Sequence, residues 1–170
     1  MAYNIHPIFV HFPIALLFIY SIIMVLPVEK WFPRVAWRDI ARALLALGVL
    51  GAFAALATGD TAKHLVHPDR ALVNAHSNFA VIATVFYCML LLGEICAFVN
   101  ARFPDFMAKT GVISEISKAI EKILCNKVVA ALIALLALVA LSVAGLLGGV
   151  LVYGTSADPL AGFVLKILGL

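Results

Sequence analysis

The chain has 170 residues, 65% of them apolar and 12% charged, with a net charge of +3 and a mean hydropathy of +1.12. A water-soluble domain does not carry that balance, which belongs to a protein whose outer surface faces hydrocarbon. The expected surroundings are therefore a lipid bilayer, with no nucleic acid partner.

A spanning helix needs about 20 predominantly apolar residues. Four stretches meet this, over about 5–28, 43–59, 69–99 and 127–153. The fold class expected is all-α: a single transmembrane domain over 1–170, built as an integral four-helix membrane bundle. The first stretch opens with "IHPIFVHFPIALLF". No basic region precedes it and its apolar run outlasts a signal-peptide core, so this helix is expected to stay in the mature protein. Pro7 suits a first helical turn, and Pro13 is expected to bend or loosen the backbone inside the bundle.

Trp31, Phe32 and Trp37 then read as an aromatic interface anchor. The second stretch is short, and Arg42 is expected to lengthen it by snorkelling. Gly48, Gly51, Ala55 and Thr58/Gly59 lie on one of its stripes, suited either to close helix packing or to the flat side of a cofactor. The third is expected to start at Pro68, with Asp69 at the positive end of the helix dipole. Glu94, near its far end, reads as a snorkelling surface charge. Val112–Leu124, apolar at 112, 113, 116, 120, 123 and 124, reads as a short cytoplasmic amphipathic helix between helices 3 and 4. In the fourth stretch, Ala137, Ala140, Ala144 and Gly148 read as packing residues. The tail from Pro159 to Leu170 either lies on the outer interface or packs on a partner. Cys88, Cys96 and Cys125 form no CxxC or CxxCH pattern, which argues against disulfides, thiolate metal sites and covalently attached haem.

Positive charge is uneven. Lys30, Arg34, Arg38 and Arg42 fill the first connection, and Arg102, Lys109, Lys118, Lys122 and Lys127 the third; only Lys63, Arg70 and Lys166 lie on the other side. Nine against three places both termini outside the cytoplasm by the positive-inside rule, in a bacterial inner membrane. All five histidines then gather at the outer face: His6 and His11 open helix 1, His64 and His67 lie in the second loop, and His76 lies just inside helix 3. His11 lies about 9 Å along its helix and His76 about 12 Å along its own, at roughly 1.5 Å per residue, so the two rings can share a level across the bundle.

An ionisable side chain inside a membrane is costly and faces the protein interior, which makes it a functional hypothesis. Two imidazoles at one depth suit axial ligation of haem, a small metal ion or a proton relay; each can equally be a core histidine satisfied by a backbone carbonyl. Haem suits the neighbours best. His76 continues through Ala80, Ala83 and Tyr87, His11 continues through Ala15 and Phe18, and Gly51 offers a small facing surface. Lys63 and Arg70 are cations suited to haem propionates, or ordinary loop charges. The competing site is copper or zinc held by His6, His64, His67 and Asp60, with His64 and His67 spaced i, i+3. No GxSxG, P-loop or HExxH motif appears, so hydrolytic machinery is not visible.

"HPIFVHFPIALLF", "LATGD" closing helix 2 and "NAHSNFA" in helix 3 resemble a bacterial family of uncharacterised four-helix membrane proteins with an HPxxxHFPIAL-type start. The resemblance covers nearly the whole chain and marks His6, Pro7, His11, Phe12, Pro13, Gly59, Asp60 and His76; His64 and His67 are not part of the motif. Some similar proteins are joined to Rieske or cytochrome c-like modules, which implies a redox setting. The function expected is that of a small b-type cytochrome-like protein. His11 and His76 hold haem b near the outer face, and electrons pass between a quinol or other membrane donor and a redox protein partner. An electron carrier is expected rather than a stand-alone enzyme. The alternatives are a non-redox copper or zinc binder and a structural membrane subunit.

Overall fold

The computed structural model describes residues 6–63 and 69–170, with the side chains of Pro7, 60–63 and Ala157 outside that description. Described residues form α1 (His6–Val25), α2 (Val28–Trp31), α3 (Trp37–Lys63), α4 (Arg70–Arg102), α5 (Pro104–Lys109), α6 (Val112–Leu124), α7 (Lys127–Tyr153), a 3-10 turn (Thr155–Ala157) and α8 (Ala161–Leu168). Four of these, α1, α3, α4 and α7, are long and apolar enough to cross a membrane, the first over Ile8–Val25. The protein is an all-helical four-helix membrane bundle.

Local chemistry sets the helix starts. Asp69 caps α4 by accepting from the Ala71 amide at 2.8 Å, so the third span begins one residue beyond its cap, at Arg70. Asn126 does the same for α7, accepting from Val128 and Val129 at 3.0 and 3.3 Å. α3 starts at Trp37, whose indole N–H donates to the Phe32 carbonyl at 3.0 Å. That start adds charged residues, with Arg38, Asp39 and Arg42 inside the helix rather than before it. α1 runs unbroken through Pro13.

The long helices stand in a ring in the order α1, α3, α4, α7, with α1 and α4 on one diagonal. Small residues let them close up. A Cβ on Gly48 would lie 2.6 Å from Leu17 Cδ2, and one on Gly51 would lie 3.1 Å from Pro13 Cβ. Those two contacts fix how α1 is rotated: Pro13, Leu17, Tyr20 and Ser21 point inward. On α7, Ala130, Ala134, Ala137, Ala140 and Ala144 are all buried, as a packing stripe requires. Across the diagonal Tyr87 reaches α1, its hydroxyl 2.8 Å from Ser21 Oγ. Tyr20 meets the Tyr87 ring edge-on at 6.2 Å.

The two ends of the bundle differ. At one, Arg42 Nε donates to Glu94 Oε2 at 2.6 Å, so Glu94 is a paired, half-buried group there and not a lone surface charge. Lys127 pairs with Glu29 at the same end. α6 folds back along the end of α4: a Cβ on Gly93 would lie 2.6 Å from Leu124 Cβ. Ser117 donates to Asn100 Oδ1 at 3.0 Å, and Asn100 Nδ2 donates to Glu121 Oε2 at 2.7 Å. The buried side of this amphipathic helix is thus its small polar one, Ser114 and Ser117, while Val112, Ile113, Ile116 and Ile123 are exposed. The other end carries the described histidines, His6, His11 and His76.

Candidate functional site

His6 is the first residue of α1, and its Nδ1 lies 3.0 Å from Thr58 Oγ1 in the last turns of α3. The Thr58 hydroxyl has one hydrogen, directed at the Ala54 and Ala55 carbonyls 3.0 and 3.1 Å away. The His6 ring and this hydroxyl are thus hydrogen-bonded to each other, and the Ala55 carbonyl is a further partner of the ring. Gly59 makes room for this ring: a Cβ there would stand 3.1 Å from His6 Cε1.

His76 is held the same way on the other side. Its Nδ1 lies 2.8 Å from the Ala144 carbonyl oxygen of α7, which can only accept, so Nδ1 carries the hydrogen in this bond. Gly148, one turn on, supplies the space, with a Cβ there meeting His76 Cε1 at 3.2 Å. A neutral imidazole protonated on Nδ1 has its lone pair on Nε2. Histidine metal ligands commonly use this arrangement, in which a backbone or side-chain acceptor fixes tautomer and ring orientation.

The two half-buried rings face each other electrostatically across the α1–α4 diagonal. His6, just ahead of the Ile8–Val25 span, is held below the usual histidine range first by burial and second by His76; the Ala55 carbonyl pulls the other way. Charging both rings at once is therefore unfavourable.

The structure redistributes the residues expected to form the site. His11 is exposed, and so are Ala15 and Phe18, the stripe that continues from it. Five residues separate it from His6, a turn of about 140° round the helix, so α1 cannot point both rings inward at once. Contacts with Gly48 and Gly51 set the rotation that turns His6 toward α3. Of the described histidines, His6 and His76 are half-buried, whereas His11, the expected partner of His76, is exposed. The stripe from His76 does run inward, through half-buried Ala80 to buried Ala83 and Tyr87.

Ala83 belongs to the packed core, and the space beside Gly51 is taken by Pro13. Neither offers a surface for a cofactor deep in the bundle. Arg70 is exposed at the start of α4, at the same end. Lys63, Asp60, His64 and His67 fall outside the described side chains, and with them most of the copper or zinc set; His6 alone of that set is placed. Among the described residues no group of three or more His, Cys, Asp or Glu comes together.

Three partners of the histidines were read from the sequence only as packing or stripe residues: Thr58, Ala144 and Gly148. A threonine ending a glycine-rich stripe and a glycine pair at 148–149 were the available signals. Neither specifies a histidine as its neighbour.

No curated protein and no solved structure matches the chain. One family model does match, over residues 2–158, and it takes in every residue of the site just described. The chain accordingly belongs to the family described as predicted membrane protein (DUF2231).

Proposed function

We propose that this protein is a small electron carrier of the b-cytochrome type, which holds haem b at its histidine-bearing end through His6 and His76. The observation that supports this is the matched anchoring of the two rings. Each is hydrogen-bonded through Nδ1 to a neighbouring helix, at Thr58 or Ala144, and each is seated beside a glycine. The donor chemistry fits haem iron.

Haem would supply one-electron redox chemistry when bound. The protein's own part is to keep both imidazoles neutral, fix their tautomers and exclude a third ligand. Two histidine ligands leave no open coordination position, which favours electron transfer over oxygen activation. Arg70 provides a cation at the same end for an acidic substituent. The loop charges support an orientation with this end and both termini on the outer side of a bacterial inner membrane. The donor would be a membrane quinol and the acceptor a redox protein at the outer face.

The test is an absorption spectrum of detergent-purified protein expressed with haem supply. A reducible six-coordinate low-spin spectrum is expected, lost in His6→Ala and His76→Ala and kept in His11→Ala. Loss in His11→Ala with retention in His6→Ala would return the ligand to His11. Protein with no Soret band, or with copper or zinc and no iron by elemental analysis, would end the haem reading.

A further inference from the structure

We propose that α8 is an interfacial helix: it lies in the bilayer leaflet at the histidine-bearing end, with Leu160, Phe163 and Ile167 among the lipid chains and Lys166 at the headgroup phosphates. The inference is independent of the cofactor proposal, and the helix lies beyond the residues that the family model matches.

The chain geometry brings α8 to that level. α7 has 27 residues, about 40 Å at 1.5 Å per residue, which exceeds a hydrocarbon core of about 30 Å. Its end therefore reaches the interface. Tyr153 is exposed there, in the position of an aromatic anchor. Gly154, at φ +78°, then ends the helix in a conformation that glycine adopts readily, and the chain turns into the 3-10 turn and α8.

The surface of α8 divides three ways around its axis. Ala161 is fully buried, and Leu165 and Leu168 on the same side are half-buried, so this side packs on the protein. Leu160, Phe163 and Ile167 fall within an arc of about 60° at 100° per residue. They are 62%, 66% and 67% exposed. Gly162 and Lys166 fill the remaining sector and are exposed as well. A helix with a protein side, an apolar side and a side bearing its one cation matches a position where protein, hydrocarbon and water meet.

Lipid is the occupant that these features select. The apolar arc follows directly on the exposed end of α7, Val152 and Tyr153, which faces lipid in any four-helix bundle crossing a membrane. Lys166, at the edge of that arc, has the reach and charge to meet a phosphate.

The test uses the full chain in vesicles of phosphatidylcholine and phosphatidylglycerol. Phe163→Trp is made with Trp31→Phe and Trp37→Phe, so that one indole reports; Phe163→Trp alone, read by difference against the parent, covers the case in which the triple variant does not fold. Blue-shifted emission is expected, with quenching about twofold stronger by lipid brominated near the carbonyl end of its chains than near the methyl end. Val139→Trp, exposed near the middle of α7, should show the reverse preference. Emission at the position of indole in water, quenched by iodide and not by brominated lipid, would overturn the proposal. So would an indole quenched by neither, because protein would then cover the arc.

Discussion

The two ends of this bundle are held by different chemistry. The charged end is closed by Arg42–Glu94 and Lys127–Glu29, and by the Ser117–Asn100–Glu121 chain that fastens α6 to α4. The histidine end relies on imidazole hydrogen bonds to a hydroxyl and a carbonyl, with glycines making room. Ion pairs between exposed or half-buried groups respond to salt, whereas imidazoles respond to pH.

Substitutions should respond accordingly. The largest effect on folding is expected at the charged end, from Gly93→Val. Its side chain would meet Leu124 at the backbone-proximal Cβ, which cannot swing away. Overpacking of this kind costs about 1–3 kcal/mol. The thermal midpoint in detergent should fall clearly, and an unchanged midpoint would show that α6 is not fastened where the structure has it.

Glu94→Gln should rank next. Arg42 and Glu94 are 34% and 25% exposed, between the surface and buried limits for ion pairs, so a loss of about 1 kcal/mol is expected. High salt should narrow the gap between this variant and the parent, whereas it should leave the Gly93→Val gap unchanged.

The histidine end should instead respond to pH. His6 titrates below its ordinary value of 6.5, so the unfolded chain binds its proton more readily than the folded one. Its contribution is complete above about pH 6.5 and is lost as pH falls through the folded value. Thermal midpoints should therefore decline on acidification below that point, less steeply in His6→Gln. An identical profile for parent and variant would remove His6 from the buried pair.

The smallest change in stability is expected from Gly148→Ala, where the new methyl would stand 3.2 Å from His76 Cε1 and the ring need shift only a few tenths of an ångström. Its effect should appear in the spectrum of any bound haem and barely in the melting curve. A spectrum identical to that of the parent would separate His76 from the ligand.

Much of the fold was legible. Four apolar runs read as spans, and Asp69 was placed at the start of the third, where it caps α4. The histidine clustering was legible too, as was the inward stripe through His76, Ala80, Ala83 and Tyr87. The pairing was less so. His6 and His11 both looked available, and depth along the helix favoured His11, because depth is what a rise per residue gives. Rotation about the helix axis is different: a nearly all-apolar helix carries little amphipathic signal to set it.

Composition and local chemistry by themselves determined a four-span helical membrane protein, and the sequence positions of its charges put most cations at the end away from the imidazoles. Tertiary structure alone decided which imidazole turned inward. Pro13 against Gly51 and Leu17 against Gly48 lock the rotation of α1, and with it the direction of every side chain that helix carries. His6 faces Thr58 and His11 faces outward because packing at two glycines of a neighbouring helix is a property of the assembled bundle.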